Sequence, residues 1–425
     1  MEALPPYMLK YINLGSQTSF AGLDENHGTI GCAKCHGGDP EAATAADAHA
    51  SDFQADPSAN PIDGCGNADC HQSISTSFAG SMHLNIWGER QQLADRAGYT
   101  DFASCPADIQ SEFNAECTSC HATCGDCHIS RPNSVGGGLV DNHVFLATPE
   151  KENNCEACHG SRVAVDFEGS TIGVRRDVHN TAWQGQENSC TFVCHSGNEM
   201  HADGSMRSGR YDPGPHTPTC TQCHLQSSNL YHSFHWPGPI SGDNDPVDPD
   251  HQLDCYVCHS QEYNNCDACH VAGAWTEDEE YHERNPYTTF KIGYNINDSE
   301  NDKGKYVLVR HIPVARDTYE PWGLPELSSL SEFDEIPNWK YTSPHNIQKW
   351  TRQTAGPDEA PVDDPDVLTC FVNCHLLNMF TDDPLPQNLD LFLTEDDLAD
   401  PHYVDEPVAN LEVVVDDVVP DNWIE

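Results

Sequence analysis

Basic residues are scarce in this chain. Twenty Lys and Arg stand against 68 Asp and Glu, a formal net charge of −48. That imbalance argues against binding nucleic acid or an anionic membrane surface. It also argues against enzymes that gather small anions such as nitrite or sulfite, which rely on positive fields. Apolar residues are few as well, 37% of 425. That is thin material for a protein-only core of this length, so something besides side chains is expected to fill the interior. No run reaches about 18 apolar residues, which excludes a membrane-spanning helix. The opening MEALPPYMLKYINLG lacks a basic segment followed by an apolar one. If the chain is exported, its signal is expected to have been removed before this numbering, or the start to be misplaced. There is no repeat of fixed period, and only six Met residues occur. An acidic surface of this kind serves solubility first; a high-salt habitat or bound Ca²⁺ would also account for it.

What the chain does have is cysteine. Of 21 cysteines, twenty form ten pairs, and His follows the second member of every pair. Seven pairs read C-x2-C-H: Cys32/Cys35/His36, Cys117/Cys120/His121, Cys124/Cys127/His128, Cys155/Cys158/His159, Cys220/Cys223/His224, Cys255/Cys258/His259 and Cys266/Cys269/His270. Cys190/Cys194/His195 and Cys370/Cys374/His375 have one extra residue between the thiols, and Cys65/Cys70/His71 has two. With 24 His in 425 residues, ten such placements do not arise by chance. Zinc ribbons explain the C-x-x-C pairs but not the adjacent His, and a disulfide scaffold explains neither. Covalent c-type haem attachment explains both. The two thiols form thioethers to the haem vinyls, and the next residue supplies the proximal iron ligand.

Each iron then needs a second axial ligand. Fourteen His lie outside the motifs, more than the ten required, so bis-histidine ligation throughout is feasible. The ten favoured as distal ligands are His27, His49, His83, His143, His179, His201, His232, His235, His311 and His345. His216, His251, His282 and His402 rank lower, because they sit in Pro- and Asp-rich turns or acidic segments. The numbers do not say which of these faces which iron.

The motif set, spanning residues 32–375, resembles the multihaem c-type cytochromes. The resemblance implies haem attachment after export, and hence an extracellular or periplasmic location. It also implies an electron carrier, with redox proteins or extracellular electron acceptors as partners. Chains this dense in haem further resemble the cytochromes that self-assemble into conductive extracellular filaments. The alternative is a multihaem reductase or oxidase of a small nitrogen or sulfur species, with one open haem. Transport is favoured because every motif ends in His and the surplus His can close every iron. Arg162, Arg175 and Arg176 are the cations an enzyme would have available.

The fold expected is mostly irregular, with short α-helices and a few β-hairpins packed around haems. Nine motifs crowd into residues 32–270, too little chain for each haem to own a domain. Residues 271–425 hold one motif and an acidic tail and are expected to pack on the same array. The tightest crowding is AECTSCHATCGDCH (115–128), where His121 and His128 are seven apart. Even fully extended, that stretch spans only about 23 Å, so two haems anchored there must touch. His259 and His270, eleven apart, are expected to behave alike. A helix is expected at IWGERQQLADRA (86–97). TTFKIGYNI (288–296) and KYVLVRHIPVA (305–315) alternate like the arms of a β-hairpin, and NLEVVVDDVV (410–419) is a further strand candidate. Asp243, Asp245, Asp248 and Asp250 are clustered oxygen ligands of the type that suits Ca²⁺, although a solvated loop is the simpler reading. Cys105, the odd cysteine, reads as a buried thiol or an intermolecular disulfide.

Overall fold

The computed structural model describes residues 26–50, 52–117, 122–132, 135–141, 143–170, 175–183, 190–203, 218–224, 232, 235, 252–261, 263–264, 287–288, 291–295, 304–311, 319–327, 339–351, 354 and 392–394. Candidate residues outside this set are Cys120, His121, Cys266, Cys269, His270, Cys370, Cys374 and His375. So are His216, His251, His282 and His402, the 242–250 acidic loop and the 410–419 strand candidate.

The chain forms two units that interleave along the sequence. One comprises Met1–Glu89, Ser111–Gly160 and Gly185–Thr217; the other comprises Arg90–Gln110, Ser161–Gln184 and Pro218–Glu425. No helix among the described residues is long and apolar enough to cross a membrane.

In the first unit the elements are short and centre on the cysteine motifs. Helices span Cys32–His36, Cys124–His128 and Glu156–His159. With one or two turns each they bury little, and of the three the Cys124–His128 helix is the one with a side-chain cap. Thr123 caps the Cys124–His128 helix by accepting from the Asp126 N–H at 3.2 Å, while Asp126 accepts from the Thr123 N–H at 2.8 Å, a reciprocal capping box. The Gly197–His201 helix starts at Ser196, whose hydroxyl accepts from the Glu199 N–H, and packs against the Gln72–Phe78 helix.

The second unit carries the sheets. Tyr263–Asn264 (β1) pairs antiparallel with Tyr287–Thr288 (β2). Lys291–Tyr294 (β3), Tyr306–His311 (β4) and Trp339–Tyr341 (β5) form an antiparallel sheet with β4 in the middle. β3 and β4 fall within the two alternating stretches, in the register Lys291↔Val309 to Tyr294↔Tyr306. Gly304, at φ +85, leads into β4; a Cβ there would press on Gln252, so the turn needs glycine. Leu253, Val257, Ile292, Tyr306 and Phe392 form a buried cluster, with Cys258 packed against it. The helix Cys255–His259 is thereby seated on the sheet. The Trp87–Arg96 helix occupies the stretch where a helix is expected. Cys105 is 4% exposed, and its thiol faces the Asp101 carbonyl at 3.7 Å.

Candidate metal centres

Three motifs of different length close on themselves through the same hydrogen bond, from the N–H of the His to the carbonyl of the first cysteine. In Cys220–His224 this bond is 2.8 Å. In Cys190–His195, with one more residue, it is 3.0 Å, and the extra residue is absorbed by a π-helical turn over Cys190–Cys194. In Cys65–His71, with two more, it is again 3.0 Å. Insertions of different length therefore leave the backbones of the His and of the first cysteine in the same relation. That is what a common bound group would require of all three.

The imidazoles then pair. Ring centres lie 6.1 Å apart in His27–His71, 6.3 Å in His36–His143, 6.2 Å in His83–His159, 6.0 Å in His128–His201, 6.0 Å in His179–His224 and 6.1 Å in His232–His259. Every pair joins one motif His to one non-motif His. The spacing holds while the angle between ring planes runs from 28° to 79°, so it is not the signature of one stacking mode. Stacks of His on other aromatic rings have no such constant spacing: 4.1 Å in His27–Phe145, 4.2 Å in His49–Phe53, 5.6 Å in His179–Trp183 and 6.0 Å in His36–Phe53. Two imidazoles sharing one metal ion stand about 6.2 Å apart by centres, given a metal–nitrogen bond of about 2.0–2.1 Å and ~1 Å from ring centre to nitrogen.

Ring orientation agrees with this. His36, His128 and His259 direct Nδ1 at the carbonyls of Gln54, Leu146 and Gln348, at 2.8, 2.7 and 3.0 Å. The neutral ring then donates from Nδ1 and keeps the Nε2 lone pair for a metal. Burial, with His159 and His195 adding, pushes His83 down to about 4. Burial likewise lowers His159, His201, His232 and His259. These rings are thus held neutral, the form that coordinates. Two imidazoles face carboxylates. Asp177 raises His179, and Glu199 raises His195 against the effect of burial.

The thiols meet across motifs. Cys65 and Cys124 share a hydrogen bond, which raises the first and lowers the second. Cys155 and Cys190 share another, which lowers Cys190 to about 7. Cys220 and Cys255 share a third. Cys35 lies within electrostatic reach of Cys65 and Cys70, and Cys127 of Cys158. In the first unit the motifs at 32–36, 65–71, 124–128, 155–159 and 190–195 thus adjoin in chain order. Oxidising the three thiol contacts to disulfides would use only first cysteines. The second cysteines, of which Cys35, Cys70, Cys158, Cys194 and Cys223 are exposed, and the six imidazole pairs would have no role.

No group of three or more His, Cys, Asp or Glu converges on a metal position among the described residues. Pairs of axial nitrogens beside paired thiols fit a metal whose equatorial ligands come with a macrocycle, and covalent haem fits this donor set. Of the ten favoured distal His, six face a motif His. His49 is exposed and stacks on Phe53, and the His345 Nδ1 meets the Ser343 carbonyl at 3.0 Å. His235 is partly buried, its carbonyl accepting from the Leu253 N–H. His311 ends β4. Sequence reasoning missed Asp177 and Glu199. Their only signals are the offsets of two and four residues from a His. Comparison with family models, curated proteins and solved structures gives no match.

Proposed function

We propose that this chain is a decahaem c-type cytochrome that conducts electrons outside the cytoplasmic membrane. The observation that carries this reading is the set of six imidazole pairs, each joining a motif His to a non-motif His at 6.0–6.3 Å. Covalently bound haem supplies one-electron iron chemistry. The cysteines would hold it covalently and the paired imidazoles would both ligate its iron, which would leave no coordination position for a substrate at those six sites. That favours transport over a reductase or oxidase. Thiol contacts between neighbouring motifs bring successive sites side by side, as a relay needs. The excess of carboxylates stabilises the ferric, more positive state, and bis-histidine ligation lowers potentials relative to His/Met. Low, overlapping potentials are therefore expected. Redox proteins or extracellular electron acceptors are the partners of such a relay, and self-assembly into filaments is its most extended form.

The test is a haem count by alkaline pyridine spectra and mass, with the ferric spin state. Ten covalent haems, low-spin throughout, are expected. No covalent haem, or a high-spin ferric signal from the untreated protein, would overturn electron relay as the function. Electron microscopy of the same sample separates a filament subunit from a discrete shuttle.

A further inference from the structure

Imidazoles of the described sites differ in what their Nδ1 faces. His36, His128 and His259 meet neutral main-chain carbonyls. His179 meets the Asp177 Oδ1 at 2.9 Å. Asp177 is 2% exposed, and both of its oxygens are fixed. Oδ1 also accepts from the His179 backbone N–H at 2.7 Å, and Oδ2 accepts from the Ile347 N–H at 2.6 Å. Its own N–H donates to the Phe167 carbonyl at 3.1 Å, and the Val178 N–H donates to the Ile347 carbonyl at 3.0 Å. The carboxylate is thus locked in place, out of water and aimed at one ring nitrogen. His195 has a second carboxylate contact of this kind. There Glu199 stands at 3.1 Å with its side chain 19% exposed, against 3% for Asp177.

Resting on the reading of His179 and His224 as two axial ligands of one haem, we propose that Asp177 is the residue that sets the potential of that site. It acts through His179 and is a positioning residue, not a catalytic one. A carboxylate on Nδ1 draws the ring proton toward itself and makes Nε2 a stronger donor. A stronger donor and a nearby buried negative charge both favour ferric over ferrous iron. At the adjoining site, held by His232 and His259, the motif imidazole His259 has a neutral carbonyl on its Nδ1, and the two sites touch through Cys220 and Cys255. Asp177 thereby sets a direction between neighbours. With both haems bound, one electron would pass from the His179–His224 site, oxidised from ferrous to ferric, to the His232–His259 site, reduced from ferric to ferrous. No proton has to leave the Asp177–His179 pair.

The experiment compares full-length holoprotein with Asp177→Asn, which keeps the size and removes the charge. In a spectroelectrochemical titration, one haem in ten is expected to become easier to reduce. Its ferrous-to-ferric ratio at fixed potential should rise about tenfold, about 59 mV for a one-electron couple. The second readout is the near-infrared charge-transfer band of the ferric protein, whose energy rises when a ligand ring gains imidazolate character. The wild type should show a displaced component that Asp177→Asn removes. Because the wild-type spectrum is informative alone, the inference stays testable even where the variant loads fewer haems. A single undisplaced band in the wild type, or an unchanged titration curve in a variant with ten haems, overturns the role of Asp177 and leaves the relay intact. A wild type without covalent haem overturns the parent reading, and this one with it.

Discussion

His83 illustrates what one residue contributes to a site. It lies in the short Met82–Asn85 helix; its partly buried ring stands 6.2 Å from that of His159 and is held neutral down to about pH 4. Its substitution separates ligation from attachment. In His83→Ala the thiols Cys155 and Cys158 remain, so the haem count should stay at ten while one haem in ten turns high-spin by electron paramagnetic resonance. The pH dependence follows from the same burial. The folded pKa lies below the ordinary 6.5, so between those values the unfolded chain binds a proton that the folded chain refuses. The contribution to stability is complete above about 6.5 and is lost as the pH falls toward about 4. His159, His201, His232 and His259, also lowered, act in the same direction, whereas His179 and His195 oppose it. Urea midpoints should therefore be lower at pH 5 than at pH 7, with a smaller difference in His83→Ala. Equal midpoints in the wild type would contradict this. Cys105 belongs to the same scale. Burial raises its thiol and 4% exposure shields it, so it should resist alkylation in the folded protein and react on unfolding, as read by intact mass.

The motif residues were legible because their pattern is chemical: two thiols and an imidazole at nearly constant offsets. Candidate distal ligands were legible only as a surplus of His. Which of them meets which motif was not, because partners lie from 27 residues apart (His232 and His259) to 107 (His36 and His143), and nothing local records that distance. Asp177 was invisible for a related reason. An Asp two residues before a His is ordinary until Ile347, far along the chain, fixes its second oxygen.

At the scale of the element, the motif turns carry their own stability signals. In Cys124–His128 the first spacer residue is Gly125. A Cβ there would collide with Ser58, whose hydroxyl bonds Asp56 at 2.6 Å and the Thr123 cap at 2.9 Å. Gly125→Ala must displace a 5%-exposed side chain, and overpacking of this kind costs about 1–3 kcal/mol. Thr123→Ala loses the cap and the bond to Ser58 without a steric clash, and should cost about 1 kcal/mol. Denaturant midpoints of the two holoproteins check the order, and a Gly125→Ala variant as stable as the wild type would show that Ser58 yields freely. The helix at Trp87–Arg96 and strands β3 and β4 lie where local patterning placed a helix and a hairpin. The third strand, β5, was not foreseen; WKY is too short for alternation to show. The interleaving of the two units was equally illegible. It depends on which short segments meet across long separations, and segments of four or five residues carry no pattern long enough to specify a partner.

The whole molecule poses the question of what holds it together. Its described core is small for the length: a sheet cluster around Leu253, Val257, Ile292, Tyr306 and Phe392 with Leu93, Phe102 and Ile109 also buried in one unit, and Phe78 and Phe113 beside short motif helices in the other. With 37% apolar residues and a net charge of −48, self-repulsion acts against collapse, and the hydrophobic contribution of the chain alone is small for its length. Ten macrocycles held by twenty thioethers would add apolar surface at each site and tie the chain at twenty points. On this account the haems are the missing core, and the chain without them should not stay compact. A folded chain of this length has a radius of gyration of about 22 Å and an unfolded one about 75 Å. Protein made without haem attachment, its cysteines kept reduced, should scatter X-rays with a radius well above the compact value and bind no metal in its place. The haem-loaded protein, kept monomeric, should lie near it. A compact haem-free chain would mean that the side chains alone suffice, and that the scarcity of apolar residues has been compensated by hydrogen bonds such as those that tie Gln261 to Arg175 and Asn346.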